Sequence, residues 1–250
     1  MLRLRAFLLT AVVASLESVV APAALRAQDC ACGAPLYPVR GSVFVSTGGA
    51  LVQTDGINTL LGAASYFAVS DDAIGFGGGA FTSWGPLRLG AEHVRLDAGS
   101  ESTPGGRSAR LESQYTTVVV GWDLRPRGRL SIAPSLGVGR GSFDLTVGDR
   151  AGGASAPVSP APTFAEVLTS PGTESRIRGA HWVYEPMLAA ELLVVRQRAQ
   201  RRGITLGVRA GYRVAPNRPD WTYRGVAVSG GPIDQATGPI VRLTFGVGGR

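Results

Sequence analysis

The stretch GITLGVRAGYRV, residues 203–214, decides the fold class of this 250-residue chain. Its even positions are apolar and its odd positions are small, polar or charged: Ile204, Leu206, Val208, Ala210 and Tyr212 against Thr205, Gly207, Arg209, Gly211 and Arg213. Because successive side chains of a strand point to opposite faces, this pattern predicts a strand with one apolar face and one face of glycine and arginine. A transmembrane β-barrel needs such strands, since lipid demands apolar contact outside and a closed ring leaves no unpaired backbone edge.

The same alternation predicts eight strands, the even number that an up-and-down barrel requires. They lie near 41–53, 74–83, 86–97, 111–124, 129–147, 179–195, 203–215 and 237–249. Residues 56–69 are compatible with either a ninth strand or a short helix that follows Asp55 as its N-cap, and we favour the helix. The chain is therefore predicted to be all-β, an eight-stranded antiparallel up-and-down transmembrane β-barrel.

The connections between these strands alternate in length. Those at 54–73, 98–110, 148–178 and 216–236 are long, whereas those at 84–85, 125–128 and 196–202 are short. Outer-membrane barrels have short periplasmic turns and longer outer loops, so the alternation places every long loop on the outer side. The longest loop, 148–178, is rich in Pro, Ala, Ser and Gly, and we expect it to be mobile.

The first residues predict export from the cytoplasm. Arg3 and Arg5 precede an apolar run and then small residues that end at Ala27, which is typical of a signal peptide covering 1–27. Residues 28–40, with Cys30 and Cys32, are expected to form a flexible leader, and 41–250 the barrel domain. Loss of residues 1–27 would lower the formal net charge from +7 to +5. The basic residues are all arginine and alternate within strands or lie in short turns, which argues against nucleic-acid binding.

The inward faces of the predicted strands carry charges of both signs. They are Arg88, Glu92, Asp123, Glu185, Glu191, Arg209, Arg213 and Arg242. An eight-stranded barrel is just wide enough to be filled by side chains, and unpaired buried charges are costly, so we expect these eight to form a structural ion-pair network. An ion or small-solute path through the lumen is the minor alternative.

Aromatic residues lie near the strand ends, at Trp84, Trp122, Trp182, Tyr184, Tyr212 and Phe245. We interpret them as the interfacial girdle of a barrel, with ordinary core packing left open for Tyr184 and Phe245.

No motif predicts catalysis. His93 and His181 each have a glutamate nearby in sequence, but no serine is fixed beside them by a motif. Lipid deacylation and a metal site at these histidines are therefore minor alternatives. We expect no catalytic residue, no cofactor and no bound metal.

The chain resembles the small outer-membrane β-barrel proteins of Gram-negative bacteria, the OmpA-like transmembrane barrel group. The resemblance rests on the signal peptide, the eight strands and segments such as GFGGGAFTSWGPLRLGAEHVRL (75–96), GITLGVRAGYRV (203–214) and TGPIVRLTFGVGG (237–249). It implies a location in the bacterial outer membrane, with membrane lipid as a partner.

That group includes anchors, adhesins, solute binders and a few lipid enzymes, so membership does not decide function. We expect a monomer without catalytic activity that interacts with an extracellular partner through mobile outer loops. The alternatives are a soluble lipocalin-type barrel with an apolar cavity and, less favoured, an outer-membrane lipid-modifying enzyme.

Overall fold

The computed structural model describes residues 39–124, 129–150, 160–197, 202–233 and 236–249. The predicted signal peptide and nearly all of the predicted leader, including Cys30 and Cys32, lie outside these ranges. The described part contains the strands β1 (Val39–Leu51), β2 (Asp72–Trp84), β3 (Leu87–Ser102), β4 (Arg107–Trp122), β5 (Leu130–Asp149), β6 (Ser175–Gln197), β7 (Arg202–Arg213), β8 (Asp220–Tyr223), β9 (Val226–Ala227) and β10 (Gly238–Gly249). Two short helices, α1 (Asp55–Ala63) and α2 (Phe164–Thr169), lie in the connections. No helix among these residues is long and apolar enough to cross a membrane.

Eight of the strands form a closed antiparallel ring in the order β1-β2-β3-β4-β5-β6-β7-β10, because β10 pairs with β1 and β5 pairs with β6. The predicted eight-stranded up-and-down barrel is confirmed. Paired residues can be followed around the ring from Val45 of β1. One direction arrives at Trp182 of β6 and the other at Leu192 of the same strand. The two positions are ten residues apart, so the barrel has a shear of ten. A barrel of this kind tilts its strands by roughly 40° to the axis and leaves a lumen that side chains fill.

The outward faces of the strands form an apolar belt. Its exposed members include Val45, Phe76, Val118, Leu136, Leu188, Leu206, Val208, Val241, Leu243 and Phe245. The six aromatic residues predicted for the girdle all lie on this outer surface with exposed side chains, Tyr184 and Phe245 included. The inward faces at the same level carry glycine, serine and charged residues. We call the end with the short connections the inner end and the opposite end the outer end.

Toward the outer end of β4, β5 and β6 the two faces exchange character. Leu111, Phe143 and Ile177 point inward and are buried, and the outward neighbours of these three in sequence are polar: Arg110, Glu112, Ser142, Asp144, Arg176 and Arg178. The barrel therefore has an apolar outside around a charged lumen at one level, and a polar outside around an apolar core at the other. Such an exchange is expected where a chain passes from lipid into water.

At the outer end the strands β2 to β6 are longer than the sequence predicts, whereas β1, β7 and β10 are one or two residues shorter. The prediction of a long loop at 98–110 is wrong, because β3 continues to Ser102, β4 begins at Arg107 and the two are joined by a tight connection. These residues are small or polar on both faces, so the apolar alternation that marks a lipid-facing strand is missing there. The hairpin β8–β9, which pairs with β6, was likewise hidden in the predicted loop 216–236.

The outer connections pack together as an apolar plug, formed by α1, α2 and the hairpin. The predicted helix after residue 55 is present, but it begins at Asp55 itself, with Thr54 before it. Ile57 and Leu61 of α1 are fully buried, as are Phe164 and Val167 of α2.

The predicted loop 148–178 has regular structure in its described parts, 148–150 and 160–178, which hold the end of β5, the helix α2 and the start of β6. Thr163 and Glu166 form a capping box that starts α2, and the buried side chains of this helix hold the segment against the barrel. A short apolar stretch, TFAEVL (163–168), was concealed by the polar composition of the loop around it.

Tyr66 connects the parts of the plug. Removing its hydroxyl should lower the free energy of unfolding by an amount that depends on pH. The Tyr66 hydroxyl donates a 3.0 Å hydrogen bond to the carbonyl oxygen of Leu168 in α2. Burial raises the pKa of the Tyr66 phenol, with Arg107 opposing and Asp149 reinforcing the change. A raised pKa stabilises the fold below about pH 10, the usual tyrosine value, and this stabilisation is lost as the pH rises through the higher value.

Tyr66→Phe should therefore lower the free energy of unfolding by about 1 kcal/mol near neutral pH, and the gap from the parent protein should narrow above about pH 10. Urea unfolding followed by tryptophan fluorescence measures both values, with Tyr184→Phe on the barrel exterior as the control. A gap that stays constant across this pH range would contradict the assignment.

Gly139 on β5 tests how closely the strands approach. A Cβ at this position would overlap the Thr116 carbonyl oxygen of β4, whereas a Cβ at Gly49 would lie 3.7 Å from its nearest neighbour, the Ala73 carbonyl oxygen. Gly139→Ala should separate β4 from β5 and reduce the fraction of protein that refolds into detergent, while Gly49→Ala should refold normally. The folded fraction can be read from gel mobility without boiling. Equal yields for the two variants would refute the close approach.

Candidate functional site

A chain of alternating charges crosses the barrel lumen. Arg88 and Glu92 come from β3, Glu185 and Glu191 from β6, Arg209 and Arg213 from β7, and Arg242 from β10. Each reaches the lumen because it occupies an inward position of its strand, and all seven are buried. We call this set the arginine–glutamate chain.

The ion pairs run in sequence from one end to the other. Glu191 accepts hydrogen bonds from Arg88 Nη2 at 3.0 Å and from Arg209 Nη2 at 3.1 Å. Glu92 accepts from Arg209 Nη1 at 3.2 Å and from Arg242 Nη1 at 2.5 Å. Glu185 accepts from Arg242 Nη2 at 3.0 Å and from Arg213 Nε at 2.9 Å. Every glutamate thus joins two arginines from different strands.

Aromatic rings support the guanidinium groups. The Arg209 guanidinium lies 4.1 Å from the ring centroid of Phe44 and 4.7 Å from that of Phe81. The Arg213 guanidinium lies 4.0 Å from the ring centroid of Tyr115. A cation that faces a ring in a desolvated site gains electrostatic attraction from the π-electrons, so these rings offset part of the cost of burying charge.

Phe44, Phe81 and Tyr115 were not among the predicted interior residues. Phe44 lies within the unbroken apolar run Val43–Val45, where the alternation gives no sign of which side chain points inward. A signal was nevertheless present, because Phe44 is two residues from Ser46 and Phe81 two from Gly79, both on inward faces.

Of the eight predicted interior charges, the structure brings seven together and places the eighth elsewhere. Asp123 follows the last residue of β4, is half-buried at the inner end, and its backbone N–H donates to the Pro86 carbonyl oxygen. The predicted strand 111–124 ran two residues too far, which assigned Asp123 to the lumen face.

The lumen contains little free space. One cavity of about 10 Å³ lies between Tyr115, Arg213 and Arg242, and another of the same volume lies between Phe81, Arg88 and Arg209. Each is the size of one water molecule. At the level of the arginine–glutamate chain, the described lumen is therefore occupied by side chains.

The two histidines lie on opposite faces of the barrel wall. His93 is exposed on the outside, 2.9 Å from the Thr116 hydroxyl, whereas His181 is buried inside against the Phe143 ring. The structure does not bring them together. Within the described ranges, no cluster of three or more His, Cys, Asp and Glu side chains has the arrangement of a metal site.

The polar outer surface of β3–β6 carries a second set of ion pairs. Glu112 accepts from Arg95 and Arg110, and Asp144 contacts Arg176 and Arg178. An open groove of about 560 Å³ runs along this surface.

At Asp97, burial acts to raise the carboxyl pKa, but the hydrogen bond and charge of Arg110 outweigh it and the pKa is lowered. Because the arginine side chains of these surface ion pairs are 47–62% exposed, water screens the attraction and each pair is worth at most about 1 kcal/mol.

Neither a protein-family model nor a curated protein sequence matches this chain. Among solved structures, it is similar to the crystal structure of Neisserial surface protein A (NspA), with a TM-score of 0.39, 10% identity, and coverage of 84% of this chain and 95% of that one. It is also similar to the outer membrane protease OmpT from Escherichia coli, with a TM-score of 0.32, 10% identity, and coverage of 86% and 96%. The fold assignment rests on the strand register described above.

Glu92 is the central acid of the arginine–glutamate chain, and its neutralisation should destabilise the barrel. Glu92→Gln leaves Arg209 and Arg242 without their shared carboxylate, and we expect the free energy of unfolding to fall by about 3–5 kcal/mol, as when one partner of a buried pair is removed. Glu112→Gln, which breaks ion pairs on the outer surface, should cost less than about 1 kcal/mol. Urea unfolding in detergent micelles measures both. Equal losses of unfolding free energy in the two variants would show that burial does not strengthen the interior ion pairs.

Proposed function

We propose that this protein is an outer-membrane β-barrel without catalytic activity, a closed and rigid scaffold that holds a structured polar surface outside the membrane. The observation that carries the proposal is the exposed apolar belt around a lumen filled by the arginine–glutamate chain. In water such a belt would be an aggregation hazard, whereas in lipid it is the required contact surface.

The filled lumen favours this proposal over a lipocalin-type barrel. A ligand-binding barrel turns its apolar faces inward around a cavity of several hundred Å³. Here the apolar faces point outward at the level of the belt, and the two lumen cavities at that level measure about 10 Å³ each. Neither could hold an organic ligand.

The same geometry favours a scaffold over a lipid-modifying enzyme. A histidine-dependent hydrolase needs a nucleophile, a histidine and an orienting group within hydrogen-bonding reach at an accessible position. His181 is buried beneath the plug, and the hydrogen-bond partner of the exposed His93 is the threonine Thr116.

The packed outer end supports interaction through a preformed surface, whereas the sequence predicted interaction through mobile loops. The described outer connections pack on one another, and β3–β6 extend beyond the belt as paired strands. We propose that an extracellular partner would meet a preformed charged surface, including the groove near Arg110 and Arg176, and that the barrel acts as a monomer.

An arginine placed in the belt tests the membrane location. Val118 is 61% exposed and pairs with Ala91 and Val138, so Val118→Arg would put a charge in the lipid-facing surface. It should lower the stability of the folded barrel in lipid vesicles by about 2–4 kcal/mol. Gln114→Arg, on the same strand and face but nearer the outer end, should change it by less than about 1 kcal/mol.

The measurement is urea titration of the folded fraction in vesicles, with folding read from the gel mobility of unboiled samples and location from membrane fractionation. A water-soluble barrel would tolerate both substitutions equally and would remain in the soluble fraction, which would refute the proposal.

A further inference from the structure

The exterior of the barrel wall changes from apolar to polar across one row of paired residues. The row crosses β3, β4, β5 and β6, and its members are exposed: His93, Thr116, Arg140 and Trp182. The adjacent row toward the inner end is apolar or aromatic: Ala91, Val118, Val138 and Tyr184. The adjacent row toward the outer end is mostly polar: Arg95, Gln114, Ser142 and Ala180. We call the row between them the border row.

The height of Arg140 in the barrel follows from the closure of the ring. Paired residues followed from Val45 through β2, β3 and β4 reach Arg140 on β5, four strands away. The row climbs toward the outer end in this direction, because it continues to Trp182, whereas the opposite direction arrives at Leu192, nearer the inner end of β6. Strands about 4.8 Å apart that tilt by roughly 40° raise the row by about 3 Å per strand, so Arg140 lies about 12 Å above Val45.

That height corresponds to the outer edge of the apolar belt. Val45 is the middle residue of β1, which runs from the partner of the girdle residue Trp84 to the exposed Leu51. It therefore marks the middle of the belt. The apolar band of an outer-membrane barrel is about 25 Å tall, so its edge lies about 12 Å from its middle. Arg140 is thus placed where acyl chains end and lipid headgroups begin.

Arg140 is an exposed cation without a nearby acid. Its guanidinium carbon lies 4.9 Å from the centroid of the Trp182 ring, and no carboxylate of the described residues lies within ion-pairing distance of it. The arginines on the polar exterior beyond the border row differ, because each is paired with an acid: Arg95, Arg110, Arg176 and Arg178. The border row itself contains no acidic side chain, and its guanidinium, indole and hydroxyl groups can all donate hydrogen bonds. It is suited to an anionic group at the lipid surface.

We propose that Arg140 and Trp182 bind the phosphate group of a lipid in the outer leaflet of the membrane. A guanidinium presents its N–H groups to phosphate oxygens as a planar fork, and the stacked indole ring keeps that fork at the headgroup level. The acyl chains of the lipid lie along the apolar row below, over Val138 and Tyr184. The inference rests on the proposed location in the outer membrane, and it assigns a ligand to the wall of the barrel.

A free phosphate ion fits this site less well than a lipid does. Water screens the attraction between an exposed guanidinium and an ion that is free to diffuse away. The phosphate of a lipid is held at the height of Arg140 by its own acyl chains, so its local concentration there is high. The proposal therefore commits to a membrane lipid as the source of the phosphate.

The test compares two lipids that differ only in the phosphate. The folded protein in a neutral sugar-based detergent is titrated with phosphatidic acid or with diacylglycerol of the same acyl chains. Native mass spectrometry counts the lipid molecules that stay bound to the barrel. Phosphatidic acid should be retained in a saturable way, at concentrations at which diacylglycerol is not retained.

Arg140→Gln removes the guanidinium from the border row. It should shift the phosphatidic acid dependence to about tenfold higher concentration, the effect of losing one hydrogen bond between charged partners. Arg178→Gln removes the same charge from the exterior of β6 beyond the border row, where Arg178 pairs with Asp144, and should leave the dependence unchanged. Unboiled gel mobility verifies that each variant has folded.

Three results would each overturn the proposal. Equal retention of the two lipids would mean that the phosphate is not recognised. Equal shifts in Arg140→Gln and Arg178→Gln would indicate a general attraction of anionic lipid to the charged exterior. Displacement of phosphatidic acid by an equal concentration of inorganic phosphate would make the free ion the ligand.

The membrane location is tested separately, by Val118→Arg and by fractionation. A barrel that fractionates with membranes but retains both lipids equally would refute the lipid site and leave the proposed function standing. A barrel found in the soluble fraction would refute the proposed function itself.

Discussion

The need to fill a narrow lumen with paired charges is the constraint on which the rest of this barrel depends. Eight strands with a shear of ten enclose a space that side chains fill, and the inward positions bring four arginines and three glutamates into it. Because the pairs join β3, β6, β7 and β10, the electrostatics connect opposite walls of the ring. Closure of the backbone ring and formation of the ion pairs therefore depend on each other, and the small residues beside the chain provide the room for the long side chains.

The exchange of polarity along the axis explains why the barrel has two kinds of interior. Within the apolar belt, the interior must carry the polar side chains because the exterior cannot. Above the belt the exterior is free to be charged, as at Glu112 and Asp144, and the interior takes the apolar residues that close the outer end. The plug thus resembles the core of a soluble protein resting on a polar lumen. This division also places the rigid charged surface, which we propose as the interaction site, outside the lipid.

The sequence predicted much of this arrangement, and its errors have one physical origin. Alternation identified the eight strands and seven of the eight interior charges, because the lipid-facing side of a strand must be apolar over its whole length. Where the exterior is polar that signal vanishes, so the outer parts of β3 and β4 were predicted as the loop 98–110. Asp123 was misplaced because a strand end carries no mark in an alternating pattern. The helix α2 was missed because a few apolar residues within a Pro- and Ser-rich segment form a recognisable unit only when they meet a partner surface.

What the sequence by itself determined was the wall: the number of strands, the face occupied by most residues of the alternating segments and the signs of the charges inside. These follow from local geometry, since the orientation of a side chain along a strand has a period of two residues whatever the neighbours are. Three features were decided only in three dimensions. They are which glutamate meets which arginine, the linear order of the arginine–glutamate chain, and the packing of the outer loops into a plug. The reason is that the shear of the ring sets the height of each strand relative to those across the lumen. That offset is a property of the closed barrel and is absent from any single strand.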